Sequence, residues 1–177
     1  VFSDNVNTPL RLVDTNVLVY RYDPRDRIKQ ARATELLLAG IGAQNLCIAH
    51  QSLIEFVSVV SKPRASLADR PLLSLPDALL ETESLMRQFP VLFPSHDVLH
   101  TAMRGATLYG LPWFDAQIWA VAEVHGLEEI LSEDFQHGRH YGRVRVVNPF
   151  LQGTGVQELP ALYESGLRRI DSPGSDP

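Results

Sequence analysis

The sequence predicts a layered α/β fold with a central, mainly parallel sheet. Short apolar segments with almost no polar alternation recur along the chain, which is typical of strands that are buried on both faces. Longer segments with a helical spacing of apolar residues lie between them, and most of the connecting loops are short. Strands that alternate with helices in this way favour parallel pairing, with the helices packed on the sheet.

The first predicted strand lies within residues 10–20. Apolar side chains stand on both sides of Asp14, Thr15 and Asn16, so we expect a strand buried on both faces, with Asp14 at or near its carboxyl end. Ligands bind beyond the carboxyl ends of the strands in open α/β sheets, which makes this position a candidate site. The further predicted strands are residues 47–49, 91–92, 129–131 and 144–147.

Five helices are predicted from apolar spacing, and capping residues set their limits. Gly40 and Gly42 are expected to end the first helix. Asp77 and Ser95 are expected to be N-caps, and Pro112 is expected in the first turn of the last helix. The predicted helices are residues 28–39, 51–61, 77–89, 96–109 and 113–125, and the proline-rich stretch 63–76 is predicted to be a loop.

Composition predicts one globular domain at residues 10–150, with a flexible lead-in at 1–9 and a C-terminal extension at 151–177 whose end is disordered. Hydrophobic residues make up 45% of the 177 and charged residues 21%. The net charge of −5 argues against a protein that holds nucleic acid by bulk charge alone. A single cysteine excludes a disulfide framework and a cysteine-rich zinc site. With no long apolar run and no leader sequence, we expect a cytoplasmic protein.

Three carboxylates stand in apolar segments, where a charge is costly. Asp14 interrupts the first strand, and Glu55 lies in the middle of a helix with no basic residue three or four positions away. Asp115 also has no basic residue at those spacings and is surrounded by apolar residues. Ordinary structural roles fit as well: Asp14 as a turn or cap residue, and Asp115 as an acid that favours the helix dipole.

A fourth carboxylate follows the strand at 129–131. Both Glu133 and Asp134 stand there, and Ser132 shares a face with Asp134 if the strand extends, which favours Asp134, although spacing alone does not decide between them. An exposed acidic loop is the alternative interpretation of this segment.

Together the four carboxylates predict a site for a hard divalent cation. Partly buried carboxylates without cationic partners repel one another and take up protons, unless a cation binds among them. Oxygen ligands without cysteine or clustered histidine favour Mg²⁺ or Mn²⁺ over zinc. Such ions promote the attack of water on a phosphodiester, and their charge reconciles an acidic chain with a polyanionic substrate.

Four short motifs, in this order, resemble those of PIN-domain ribonucleases, and most closely the VapC-type toxins of bacterial toxin–antitoxin systems. The first strand and its acid read LVDTNVL at 12–18, and the helix with the glutamate reads SLIEF at 52–56. The third acid lies in GLPWFDA at 110–116. The fourth lies in LSEDF at 131–135, where the serine two residues before the aspartate identifies Asp134 rather than Glu133. The resemblance covers about residues 10–150.

The resemblance implies a three-layer α/β/α PIN-like fold, Mg²⁺- or Mn²⁺-dependent hydrolysis of RNA, a homodimer and a small antitoxin partner. The C-terminal segment of the antitoxin would lie over the acidic site, with an Arg or Lys in the position of the cation. Thr15, Asn16 and Ser132 are candidates to orient the carboxylates or water, although Thr15 and Asn16 fit a role as turn formers equally well. The implied catalytic and metal-ligating residues are Asp14, Glu55, Asp115 and Asp134.

Two other functions stay open from the sequence. A PIN nuclease of RNA processing would carry the same four acids, and an upstream gene for a small DNA-binding protein would distinguish a toxin from it. A non-catalytic PIN-like module that binds RNA or protein would not need all four acids. Basic residues within 21–32 and 137–145 could contact RNA phosphates, but solvated surface charge is the more common reason for such runs. The loop 63–76 is a candidate lid, substrate contact or dimer element.

Overall fold

The computed structural model describes residues 9–151, which form six strands and six α-helices. The strands are β1 (Arg11–Val13), β2 (Leu46–Ala49), β3 (Val91–Leu92), β4 (Glu129–Leu131), β5 (His140–Tyr141) and β6 (Val144–Val147). The helices are α1 (Thr15–Tyr20), α2 (Arg27–Ala43), α3 (His50–Val60), α4 (Leu75–Gln88), α5 (His96–Tyr109) and α6 (Trp113–Val124).

All six strands form one sheet in the order β3–β2–β1–β4–β6–β5. Every neighbouring pair is parallel except β5 and β6, which form an antiparallel hairpin at one edge. The predicted α/β fold with a mainly parallel sheet is therefore confirmed. The strand β5 has only two residues and was not predicted.

Helices cover both faces of the sheet, because successive strand residues point to opposite sides. Leu12 belongs to the core that contains α5 and α6, with the buried Trp119 as its largest side chain. Val13, the next residue, belongs to the core on the opposite face, which α1 to α4 form around Phe56. The result is the three-layer α/β/α arrangement.

The prediction that Asp14 stands at the carboxyl end of the first strand is confirmed, but the interpretation of residues 15–20 as strand is wrong. β1 ends at Val13, and Asp14 is the N-cap of α1, accepting a hydrogen bond from the backbone N–H of Thr15 on its side chain. Val17 and Leu18 are buried in this short helix. A helix of six residues with apolar side chains on most sides has no readable period, which is why its sequence resembles a buried strand.

The helix α2 runs past both glycines that were expected to end it. Gly40 lies inside the helix, where it packs against β2. A Cβ at this position would stand 2.1 Å from the side chain of Leu46, which explains why a glycine is found here. The helix ends instead at Ala43, and its C-cap is Gln44, which adopts a left-handed φ of 52°.

The caps of the later helices were predicted with mixed success. Ser74, not the expected Asp77, caps α4 by accepting a hydrogen bond from the N–H of Asp77. Ser95 caps α5 as predicted. The loop between α3 and α4 contains a 3₁₀ turn at Ala65–Leu67.

The predicted lead-in and C-terminal extension fall mainly on residues 1–8 and 152–177, which lie outside the described residues. The domain limits at 10 and 150 stay predictions. Among residues 9–151, no helix is long and apolar enough to cross a membrane.

Candidate metal centre

The topology brings two strand ends together at the middle of the sheet. β1 and β4 are neighbours, with Val13 opposite Leu131, and the N–H of Asp14 donates to the carbonyl of Leu131 (3.1 Å). From β1 the chain continues to β2 and β3 on one side of the sheet, and from β4 it continues to β5 and β6 on the other. This is the point where open α/β sheets form a crevice beyond their carboxyl ends.

Asp14 is the most enclosed acid at this crevice, with only 6% of its surface exposed. Its Oδ1 accepts from the N–H of Thr15 (2.6 Å), and its Oδ2 accepts from the hydroxyl of Ser132 (2.6 Å). Burial raises the pKa of Asp14 to about 7, although both hydrogen bonds oppose the rise. The charges of Asp134 and Asp115 raise it further, so Asp14 faces other carboxylates rather than a cation.

Asn16 connects the two strand ends. Its side-chain amide nitrogen donates toward Asp14 Oδ2 (3.1 Å), Ser132 Oγ (3.0 Å) and Asp134 Oδ2 (3.0 Å). The hydroxyl of Ser132 in turn accepts from the backbone N–H of Asp134 (3.1 Å). Three predicted orienting residues (Thr15, Asn16 and Ser132) thus contact the predicted acids.

Glu55 enters the crevice from α3. Thr15 Oγ1 donates to its Oε2 (3.0 Å), and Gln51 Nε2 donates to its Oε1 (2.6 Å). Gln51 also donates to the backbone carbonyl of Phe114 (3.3 Å), which links α3 to the first turn of α6. That turn carries Asp115, the remaining acid of the four. Gln51 was missed from the sequence, although its position four residues before Glu55 on a helix predicts this contact.

Asp115 is half-buried and completes the acidic cluster. Burial is the main cause that raises its pKa, followed by the charges of Asp134 and Glu55. The structure therefore places all four predicted acids in one electrostatic neighbourhood. They line a cleft of about 320 Å³ together with residues of α1 and of the loop after α3.

Glu133 is turned away from this cluster. Its carboxylate accepts from Lys29 Nζ (2.5 Å) and from the hydroxyl of Tyr20, and Lys29 also donates to Tyr20 (3.0 Å). Asp134, in contrast, lines the cleft and bonds to Asn16. The geometry thus supports the choice of Asp134 over Glu133. Lys29, one of the basic residues discounted as solvated charge, fixes the neighbouring loop.

The donors fit a hard divalent cation in their chemistry. They are carboxylate oxygens, and the amide Oδ1 of Asn16 is buried without a hydrogen-bond partner. Within residues 9–151, however, no group of three or more His, Cys, Asp or Glu side chains is arranged as a ready-made metal site. Hydrogen bonds from Asn16, Thr15 and Gln51 engage the carboxylates.

Solved structures with this arrangement of helices and strands include components of toxin–antitoxin complexes. A toxin–antitoxin complex from Klebsiella pneumoniae matches with a TM-score of 0.53 and 21% identity, over 78% of this chain and 97% of that one. DNA-bound VapBC from Salmonella typhimurium matches with a TM-score of 0.56 and 15% identity, over 78% and 96%. VapC20 from Mycobacterium tuberculosis, described as a toxin that cleaves the sarcin–ricin loop, matches with a TM-score of 0.50 and 14% identity, over 68% and 86%. At these identities the likeness is one of fold.

Sequence comparison is decisive at the level of the family. No curated protein matches the chain. The model of the PIN domain matches residues 11–142, which hold β1 at one end and the last of the four acids near the other. The chain therefore belongs to the PIN domain family.

Proposed function

We propose that this protein is an endoribonuclease that depends on Mg²⁺ or Mn²⁺ and acts as the toxin of a toxin–antitoxin pair. The observation that carries the proposal is the cluster of Asp14, Glu55, Asp115 and Asp134 in one cleft, where burial and the charges of neighbouring carboxylates raise the pKa of Asp14 and of Asp115. Such a cluster is costly for the folded protein unless a cation binds there. Membership of the PIN family and the RNA-cleaving toxin among the structures of similar fold support the same activity.

The chain's own residues would hold the cation and position the reactants. When bound, a divalent cation lowers the pKa of an attacking water and neutralises charge that develops on the phosphate. Asp14 would be the most firmly fixed ligand, because the N–H of Thr15 and the hydroxyl of Ser132 restrain both its oxygens. Glu55 and Asp115 reach the cleft from α3 and α6.

The expected partner and location follow from the same proposal. Three of the structures of similar fold are a toxin–antitoxin complex, VapBC and FitAcB from Neisseria gonorrhoeae. We propose a small antitoxin whose Arg or Lys enters the acidic cleft, since a cationic side chain there satisfies the same carboxylates as a metal ion. Ribonuclease activity on cellular RNA places the protein in the cytoplasm under this proposal.

We also propose a homodimer. Helix α4 exposes Leu79 and Leu80, and α5 exposes Leu99 and Met103, and a second copy would cover these apolar side chains. Light scattering of the purified chain tests this, and a monomer at high micromolar concentration would contradict it.

The central test combines calorimetric titration of Mg²⁺ or Mn²⁺ with cleavage of a structured RNA. We expect binding and cleavage in the wild type, and loss of both in Asp14→Asn. Asp97→Asn is the matched control, because it removes the same charge from an exposed position in the first turn of α5. Metal binding without cleavage of any RNA would contradict the ribonuclease proposal. Absence of metal binding would point to a non-catalytic module.

A further inference from the structure

The cleft has a second charged region besides the acidic cluster. Two arginines, Arg25 and Arg64, line it on the side formed by the turn after α1 and the loop after α3. The two arginines differ in whether their charge is already neutralised.

Arg25 is engaged within the protein. Its Nε donates to Asp23 Oδ1 (2.8 Å) and its Nη2 to Asp23 Oδ2 (2.5 Å), so the pair is bidentate. Its Nη1 donates to the hydroxyl of Ser66 (2.9 Å). The hydrogen bond from Arg25 is also the main reason that the pKa of Asp23 is lowered. Arg25 therefore ties the loop after α3 to the turn after α1 and carries no surplus charge.

Arg64 has hydrogen-bonding capacity that the protein does not use. Its Nη2 donates to the backbone carbonyl of Val59 (3.2 Å), while its Nε is buried without a hydrogen-bond partner. Among the described residues, no carboxylate forms an ion pair with it within 4.0 Å. Its backbone is fixed, because Arg64 and Arg70 form an antiparallel bridge across the loop. Arg64 is thus half-buried and forms no ion pair within 4.0 Å, although its charge contributes, after that of Arg25, to the lowered pKa of Asp23.

The position of Arg64 relative to the acids suits a nucleic-acid strand. Val59, its hydrogen-bond partner, lies one turn beyond Glu55 on α3, roughly 6 Å along the helix axis. A strand whose phosphate lies at the acids and which runs along α3 would therefore bring a neighbouring phosphate to the guanidinium. The planar fork of arginine matches phosphate oxygens, which accept two parallel hydrogen bonds from it.

We propose that Arg64 binds an RNA backbone phosphate next to the one at the acidic cluster, and so fixes the register of the strand in the cleft. The inference rests on the proposed ribonuclease function and adds a substrate-positioning residue to it. The alternative is a purely structural role, in which Arg64 only satisfies a carbonyl at the C-terminal end of α3.

The test compares Arg64→Met with Arg64→Lys and with the control Arg70→Met, in the full chain. Arg70 lies on the same loop and is exposed, so its loss removes the same charge. Cleavage kinetics on a single-stranded RNA give KM and kcat. Fluorescence anisotropy of a labelled RNA, measured in an Asp115→Asn background at several salt concentrations, gives the salt dependence of binding.

We expect Arg64→Met to raise KM and Kd by about tenfold or more, with kcat changed about twofold at most. The salt slope of binding should fall by about 0.7, the value for one phosphate contact on a single strand. Arg64→Lys should keep that slope but recover only part of the affinity, and Arg70→Met should behave as the wild type.

Three results would distinguish a failure of the proposed function from a failure of the Arg64 assignment. A wild-type chain that cleaves no RNA overturns the proposed function, whatever Arg64 does. A wild-type chain that cleaves RNA while Arg64→Met matches Arg70→Met in KM and salt slope overturns the Arg64 assignment alone. A lowered melting temperature of Arg64→Met with an unchanged salt slope also overturns it, because a structural role would then explain the residue.

Discussion

The substitution Asp14→Asn is expected to make the cation-free protein more stable at pH 8 than the wild-type chain. Burial is the main cause that raises the pKa of Asp14 from 3.8 to about 7, and the charges of Asp134 and Asp115 add to it. At pH 8 the folded wild type must therefore carry a buried charge that its surroundings disfavour. Asparagine has the same shape and no charge.

The size of the effect follows from the pKa and from the hydrogen bonds of Asp14. At 1.36 kcal/mol for each pKa unit, the rise corresponds to about 4 kcal/mol of the free energy of unfolding. Asparagine would place an amide N–H against the donating amide of Asn16, while the hydroxyl of Ser132 can turn and accept instead. That lost bond costs about 1–2 kcal/mol. We expect a net gain of about 2–3 kcal/mol at pH 8.

The pH dependence has a definite sign. The unfolded chain loses the Asp14 proton near pH 3.8 and the folded chain near 7, so the folded state binds more protons between these values. The contribution of Asp14 to wild-type stability is therefore full below pH 4 and is lost as the pH rises to about 7. At pH 4 the variant should be the less stable protein, because only its lost hydrogen bond remains.

Urea unfolding of both proteins at pH 4, 6 and 8, with a chelator present, measures this difference. Added Mg²⁺ should then raise the stability of the wild type at pH 8 by about 2.7 kcal/mol at a hundred times its Kd, and leave the variant unchanged. A variant that is equally destabilised at all three pH values would refute the reasoning, because Asp14 would then act only as a helix cap.

Three further predictions concern other parts of the molecule. Asp115→Asn should abolish RNA cleavage while the circular dichroism spectrum and the melting temperature stay at or above those of the wild type; cleavage that persists would remove this residue from the site. Lys29→Met should lower the free energy of unfolding by about 1–2 kcal/mol, measured with urea, because it leaves the half-buried carboxylate of Glu133 without its cation. Arg87→Met breaks an exposed ion pair and should lower it by less than about 0.5 kcal/mol, so equal losses would contradict this. Gly105→Ala should destabilise by about 1–3 kcal/mol, because its Cβ would stand 2.3 Å from a tryptophan ring, whereas Gly42→Ala, with open space, should stabilise by up to about 1 kcal/mol; thermal unfolding checks the opposite signs.

Local signals were enough to predict those elements whose ends and period lie in their own sequence. Helix α5 was predicted at 96–109 and is observed at His96–Tyr109, because Ser95 caps it and Gly110 follows it with a φ of 66°. The strand at 144–147 was also predicted with its observed limits. In contrast, α1 is too short to show a period, and β5 is a two-residue edge strand with no pattern of its own.

The acids of the candidate site and three of their hydrogen-bond partners (Thr15, Asn16 and Ser132) could be chosen from the sequence. Glu55 and Asp115 were conspicuous because they stand among apolar residues without a local cation. The contact between Lys29 and Glu133 spans 104 positions, so no local rule predicts that Glu133 is neutralised and Asp134 is not. Gln51 was also missed, although its bond to Glu55 follows from helical spacing.

The construction of the site links the cost of folding to the proposed activity. The side chain of Asp14 caps helix α1 through its Oδ1. That helix positions Thr15 to donate a hydrogen bond to Glu55, and Asn16 to donate one to Asp134. Asp14, whose buried charge destabilises the folded protein at neutral pH, is therefore also the residue that positions the others. A neutral side chain at position 14 would relieve the buried charge and leave the cluster without its central anion. Greater stability without a cation and loss of cation binding are thus expected from the same substitution, because both follow from a single buried carboxylate.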